Sequence, residues 1–118
     1  MGLDIYFQKN KENYGYFRKV NFLINWMYNN VSDFDNCQEI VIEKHHIEKL
    51  LSDTKKVLNT KTQEIAEEYL PCTTGFFFGS QLYDNYYYED VKEVNEFCKK
   101  TLNEFDFEKD ILLFYAWW

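Results

Sequence analysis

The stretch YFRKVNFLINWMYNNV, Tyr16 to Val31, sets Phe17, Val20, Ile24, Met27 and Val31 at three- and four-residue steps. That spacing predicts an amphipathic helix of about four turns starting near Phe17, with one apolar stripe against a core. Asn29, Asn30, Ser32 and Asp33 end it. Upstream, Leu3, Ile5 and Phe7 alternate with Asp4, Tyr6 and Gln8, the period of a half-buried strand over Leu3 to Lys9. Downstream, EIVIEK, Glu39 to Lys44, is short and β-branched and reads as a second strand. Ile47, Leu50, Leu51, Thr54, Val57 and Leu58 then hold helical spacing. Thr60 with Gln63 has the form of a capping box that opens a short helix through Tyr69, stopped by Pro71. Tyr87, Val91, Val94, Cys98, Thr101, Leu102 and Phe105 mark a long helix, and ILLFYAWW, Ile111 to Trp118, reads as a buried terminal strand.

This order predicts an α+β fold, a small antiparallel or mixed sheet of three to four strands with three to four helices packed on one face. Three consecutive aromatics at Phe76 to Phe78, bracketed by Gly75 and Gly79, form either a loop or a fourth strand. A chain of 118 residues fits a single domain, 1–118, with one core. Its 46% hydrophobic content, with one proline and four glycines, argues against disorder.

The net charge of −7 is unevenly placed. Residues 1–61 hold nine Lys/Arg against eight Asp/Glu, whereas residues 62–118 hold four against twelve. Direct nucleic-acid binding needs a basic stripe and is therefore disfavoured, and a basic protein partner is the electrostatic alternative. The start, MGLDIYF, lacks the basic region and apolar run of a leader, and Tyr6 stands where a myristoylation motif wants Ser or Thr. No apolar run approaches the ~20 residues of a membrane helix, so no membrane role is expected and the cytosol is the expected location.

No catalytic signature emerges. Cys37, Cys72 and Cys98 are odd in number and widely spaced, which predicts buried reduced thiols rather than disulfides or a zinc knuckle. His45 and His46 are adjacent, without an HExxH-like partner, so no metal site is expected. Glu67 with Glu68, and Glu89 with Asp90, resemble a general acid and base only in being carboxylates. Gly75 and Gly79 lack the Lys and Ser/Thr of a phosphate loop. No cofactor is implied.

Two clusters suggest recognition instead. Tyr83, Tyr86, Tyr87 and Tyr88 span more than one helical turn, so at most two can point inward. The others, with Asp84, Glu89, Glu93 and Glu96, would form an acidic, ring-bearing face suited to a basic surface. Phe22 and Trp26 fall opposite the Phe17, Val20, Ile24, Met27 stripe, beside Arg18 and Lys19. Either that helix is covered on two sides, or Trp26 with Arg18 and Lys19 is a second surface patch.

Together MGLDIYF, YFRKVNFLINW, LPCTTGFFFGS and YDNYYYED resemble a family of small phage- and prophage-encoded proteins of poorly defined function. Phe17 stands where that family would have Trp, Cys72 where Thr is usual, and Glu43 where a capping Ser is usual. The resemblance implies a non-enzymatic accessory protein in the cytoplasm of a bacterial host, similar in size and charge to anti-CRISPR inhibitors. Its implied partner is a nucleic-acid-handling host defence nuclease, blocked at a basic surface. The alternative is a small-molecule-binding accessory protein or minor enzyme, with Arg18, Lys19, Asn21, Asn25 and the FFFG rings lining a pocket for an anionic metabolite. A phage structural subunit would instead self-associate.

Overall fold

The hairpin that opens the chain is set by two residues with positive φ. In the computed structural model, which describes residues 2–73, 80 and 82–118, β1 (Asp4–Lys9) and β2 (Glu12–Arg18) are joined by Asn10 (φ 52°) and Lys11 (φ 77°). Positive φ at both central residues is the signature of the two-residue turn whose twist matches the flanking strands. Asn10 is also pinned to the far end of the chain. Its backbone N–H donates to the Ile111 carbonyl at 3.0 Å, and its Oδ1 accepts from the Ile111 N–H at 2.8 Å.

The helix expected from Phe17 is corrected by this hairpin. Tyr16, Phe17 and Arg18 belong to β2, and the helix α1 begins only at Phe22 and ends at Asn30. Lys19, at φ 58°, breaks the strand and turns the chain, while its N–H donates to the Leu3 carbonyl at 2.8 Å. A helix cannot pass through a left-handed residue, so the apparent stripe from Phe17 to Ile24 crosses two elements that bury side chains in one core.

The remaining elements are β3 (Ile40–Ile42), α2 (Lys44–Thr60), α3 (Gln63–Tyr69), α4 (Asn85–Glu104) and β4 (Leu112–Trp117). The described residues thus form an α+β fold with four helices and one four-stranded sheet, ordered β2-β1-β4-β3 and antiparallel throughout. The other candidate fourth strand, Phe76 to Phe78, lies outside the described residues. The expected capping box at Thr60 moves by two residues. Thr60 closes α2 and donates its hydroxyl to the Lys56 carbonyl at 3.0 Å; Lys61 takes the left-handed conformation, and Thr62 caps α3 by accepting from the Ile65 N–H.

Ile5, Phe7, Phe17, Ile40, Ile42, Leu112, Phe114 and Ala116 alternate onto one face of the sheet and are buried under the helices. A bulge at Tyr14 of β2, opposite Phe7 and Gln8, turns that residue toward the same side, where its ring meets Phe97 of α4. Gly15 faces that ring directly. A methyl carbon there would stand 2.5 Å from Cε1 of Phe97, so the close approach of β2 and α4 requires glycine. On the open face Tyr16, Tyr6 and Tyr115 form a cross-strand row with centroids 5.1 and 4.9 Å apart. Among the described residues no helix is long and apolar enough to cross a membrane.

Candidate functional site: an acidic ridge and a small cleft on helix α4

Helix α4 starts at Asp84, whose side chain accepts from the Tyr87 N–H at 3.1 Å and satisfies one of the orphan donors of the first turn. Its inner stripe, Tyr87, Val91, Val94, Cys98 and Thr101, is buried. Helical geometry then sends Tyr86, Glu89, Glu93 and Glu96 to the opposite side, and all four are exposed. Between Asp84 and Glu96 there are five carboxylates and one lysine, Lys92. Among the described residues no ion pair engages Glu89, Glu93 or Glu96; the lysine farther along, Lys100, pairs with Glu104 at 3.5 Å.

The tyrosine run divides as the helical period requires. Tyr87 is buried, and its hydroxyl donates to the Leu70 carbonyl at 2.8 Å. Tyr83 is half-buried and its hydroxyl accepts from the Cys72 N–H at 3.0 Å. These two phenols fasten α4 to the segment after α3. Tyr88 is half-buried, and Tyr86 stands 77% exposed at the head of the ridge.

Arg18 and Lys19, expected either as a surface patch with Trp26 or as pocket-lining residues with Asn21 and Asn25, share a cleft with Asn21 and the head of α4. Its volume is about 150 Å³, and it is lined by Arg18, Lys19, Asn21 and Phe22 from the β2–α1 segment, by Asp84, Tyr86, Tyr87 and Asp90 from the head of α4, and by Cys72, Ser80 and Leu82. Asn21 sets the spacing. Its Oδ1 accepts from the Thr73 N–H at 3.1 Å and its Nδ2 donates to the Ser80 carbonyl at 2.9 Å, while its own carbonyl accepts from the Thr73 hydroxyl at 2.7 Å. Asn25 does not line the cleft; its Nδ2 donates to the carbonyls of Pro71 and Cys72 at 3.3 and 3.1 Å.

Asp90, weighed in the sequence only as a carboxylate beside Glu89, lines the cleft. Partial burial pushes its carboxyl up from 3.8 to about 6, helped by the neighbouring charges of Glu93, Glu89 and Asp84. The acidic side chains of α4 therefore gather closely enough to feel one another. The sequence signal for Asp90 was its place one turn after Tyr86 and beside the buried Val91.

Trp26 is corrected as a surface anchor. It is 1% exposed because α2 covers that side of α1, and its Nε1 donates to Oδ2 of Asp53 at 2.9 Å. Asp53, itself buried, also receives Lys49 at 3.0 Å. The buried acid in the middle of α2 was the available clue, since it needs a donor.

The thiols differ from expectation at one position. Cys98 is buried and its thiol is pushed up to about 12, and burial also raises the half-buried Cys72; Cys37 is exposed. At Cys72 and Cys98 the thiolate needed by a nucleophile is disfavoured. Glu43, His45 and His46 place potential ligand atoms within 4.8 Å of one another. His46 closes a capping box, however, with Nδ1 accepting from the Glu43 N–H at 2.9 Å. That bond fixes the neutral ring with hydrogen on Nε2, leaving no lone pair there for a metal while α2 stays capped.

Comparisons with protein-family models, curated proteins and solved structures find no match to this chain.

Proposed function

We propose that this protein is a non-enzymatic binding protein that docks the α4 ridge onto a basic protein surface. The carrying observation is the exposed row Tyr86, Glu89, Glu93, Glu96, in which the three glutamates have no ion-pair partner among the described residues. Unpaired carboxylates on one rigid helix face keep their field, which steers a basic partner during encounter. Tyr86 adds an amphipathic ring of the kind that anchors protein interfaces. The resemblance to small phage proteins supports a particular partner, a host defence nuclease whose nucleic-acid-binding surface is basic, met in the bacterial cytoplasm. Arg18 and Lys19 flank the ridge across the cleft and would touch the acidic margin of such a surface.

The test is affinity capture from a defence-competent bacterial lysate, with wild type compared against the triple variant Glu89→Lys, Glu93→Lys, Glu96→Lys. A nucleic-acid-handling complex should be retained by the wild type and lost by the variant, and the association rate should fall with added salt only for the wild type. Equal capture by both proteins, with equal salt dependence, would remove the ridge from the mechanism.

A further inference from the structure

The cleft beside the ridge holds charges that do not neutralise one another. Arg18 and Lys19 of the β2–α1 segment and Asp84 and Asp90 of the α4 segment line it together. Among the described residues no ion pair within 4 Å joins the two segments. Asp84 has one oxygen committed to the Tyr87 N–H, and no hydrogen bond is made by the Asp90 carboxylate to any described residue. The cleft wall is held by polar ties: Asn21 joins the head of α1 to Thr73 and Ser80, and Tyr83 and Tyr87 join the start of α4 to Cys72 and Leu70.

The geometry points to a binding site for a small zwitterion of the α-amino-acid type, its ammonium toward Asp84 and Asp90 and its carboxylate toward Arg18 and Lys19. A lone anion would meet the two acids, and a lone cation would meet the two bases. An α-amino acid carries both charges about 3 Å apart on one carbon, so it can satisfy both pairs together. The rings of Tyr86 and Tyr87 offer a second partner for the ammonium. Size narrows the class further. A volume of about 150 Å³ is below the ~300 Å³ at which drug-sized and nucleotide pockets begin, but a cavity of that order accommodates a six-carbon ring. Glycine and alanine fit that limit. The cleft shares Tyr86, Arg18 and Lys19 with the docking reading, but Glu89, Glu93 and Glu96, which carry that reading, line no part of it.

The experiment is a ¹H–¹⁵N correlation titration of the full chain with glycine and L-alanine, and with sodium acetate and methylammonium chloride as single-charge probes at matched ionic strength. The expected result is saturable shifts at the Arg18, Lys19, Asp84 and Asp90 amides, with Kd for glycine or L-alanine on the order of 1 mM. Acetate and methylammonium should bind at least about tenfold more weakly, one opposite-charge contact being lost in each. Arg18→Gln and Asp90→Asn should each raise Kd about tenfold, while the remote Glu48→Gln leaves it unchanged. The proposal is overturned if neither amino acid gives saturable shifts, if acetate or methylammonium binds equally well, or if Asp90→Asn binds as the wild type does. Asp90→Asn decides the matter alone should Arg18→Gln lose the wild-type spectrum.

Discussion

Asp90→Asn should stabilise the protein at neutral pH, and the gain should vanish in acid. The rise of this carboxyl from 3.8 to about 6 means that the fold disfavours its charge. At full strength such a rise corresponds to roughly 3 kcal/mol, and partial solvent exposure reduces it to about 1 kcal/mol. The sign follows from linkage. A group whose folded pKa is raised contributes stability that is fully present below the unfolded value of about 4 and is lost as pH rises through about 6. The wild type therefore bears the whole penalty at pH 7, and asparagine, neutral throughout, bears none. Helix propensity does not confuse the comparison, because Asp and Asn differ little in a helix interior. Urea unfolding of both proteins from pH 4 to pH 8 should give midpoints that coincide near pH 4 and diverge in favour of Asp90→Asn by about 1 kcal/mol at pH 7. Arg18 and Lys19 are the alternative influence on Asp90, and they act with the opposite sign. If Asp90→Asn is less stable than wild type at pH 7, a cation pairs with this carboxylate in solution and the account of a cleft with unneutralised walls is wrong.

Trp26→Phe removes the donor to buried Asp53 and leaves a small void where the larger indole packed, which together should cost at least about 2 kcal/mol and lower Tm by about 8 °C or more in circular dichroism; an unchanged Tm would mean that Lys49 alone satisfies the acid. Gly15→Ala should cost about 1 to 3 kcal/mol through the clash with Phe97, and Phe97→Leu in the same chain should recover part of it. Failure of that rescue in chemical denaturation would place the strain elsewhere. Burial lowers the pKa of His46, so its cap on α2 is fully present above about pH 6.5 and lost as pH falls through the lower folded value. The wild type should therefore lose about 0.5 to 1 kcal/mol between pH 7 and pH 5 relative to His46→Ala, and parallel pH profiles would exclude the cap as the cause.

How much of this was legible in the sequence depended on whether one element or two stood behind a pattern. The stripes of α2 and α4 were readable because each packs one continuous face, Ile47, Leu50 and Val57 on one helix and Val91, Val94 and Cys98 on the other. Strand β2 was not, for two reasons. Its turn uses Asn10 and Lys11 without a glycine, so the strongest hairpin signal is missing. Phe17 of β2 and Val20, Ile24 of the following segment also point into the same core, so their spacing imitates a helix that Lys19 interrupts. Trp26 was ambiguous for a related reason, because amphipathicity cannot tell a helix covered on two sides from one with an exposed anchor. The acidic face was readable from α4 alone, since Tyr86, Glu89, Glu93 and Glu96 follow from its period.

Arg18, Lys19 and Asn21 were readable as pocket-lining residues, but the contribution of α4 to the cleft was beyond any local pattern, and the reason bears on what the site can do. Its lining comes from positions 18–22, from 84–90 and from Cys72, Ser80 and Leu82, joined by no sheet ladder or shared helix but by the polar ties of Asn21, Thr73, Tyr83 and Tyr87 around the segment after α3. Each tie is individually worth about 1 kcal/mol. Such a wall is held by several small terms rather than by one large apolar one, so neighbouring contacts can adjust it without unfolding the core beneath. The ridge, by contrast, rests on the buried stripe of α4 and keeps its geometry as long as the domain is folded. A docking surface built on the rigid element and a small-molecule cleft built beside it on the adjustable one is therefore a consistent division. A ligand in the cleft would sit beside Tyr86, which the two sites share, and leave Glu89, Glu93 and Glu96 uncovered.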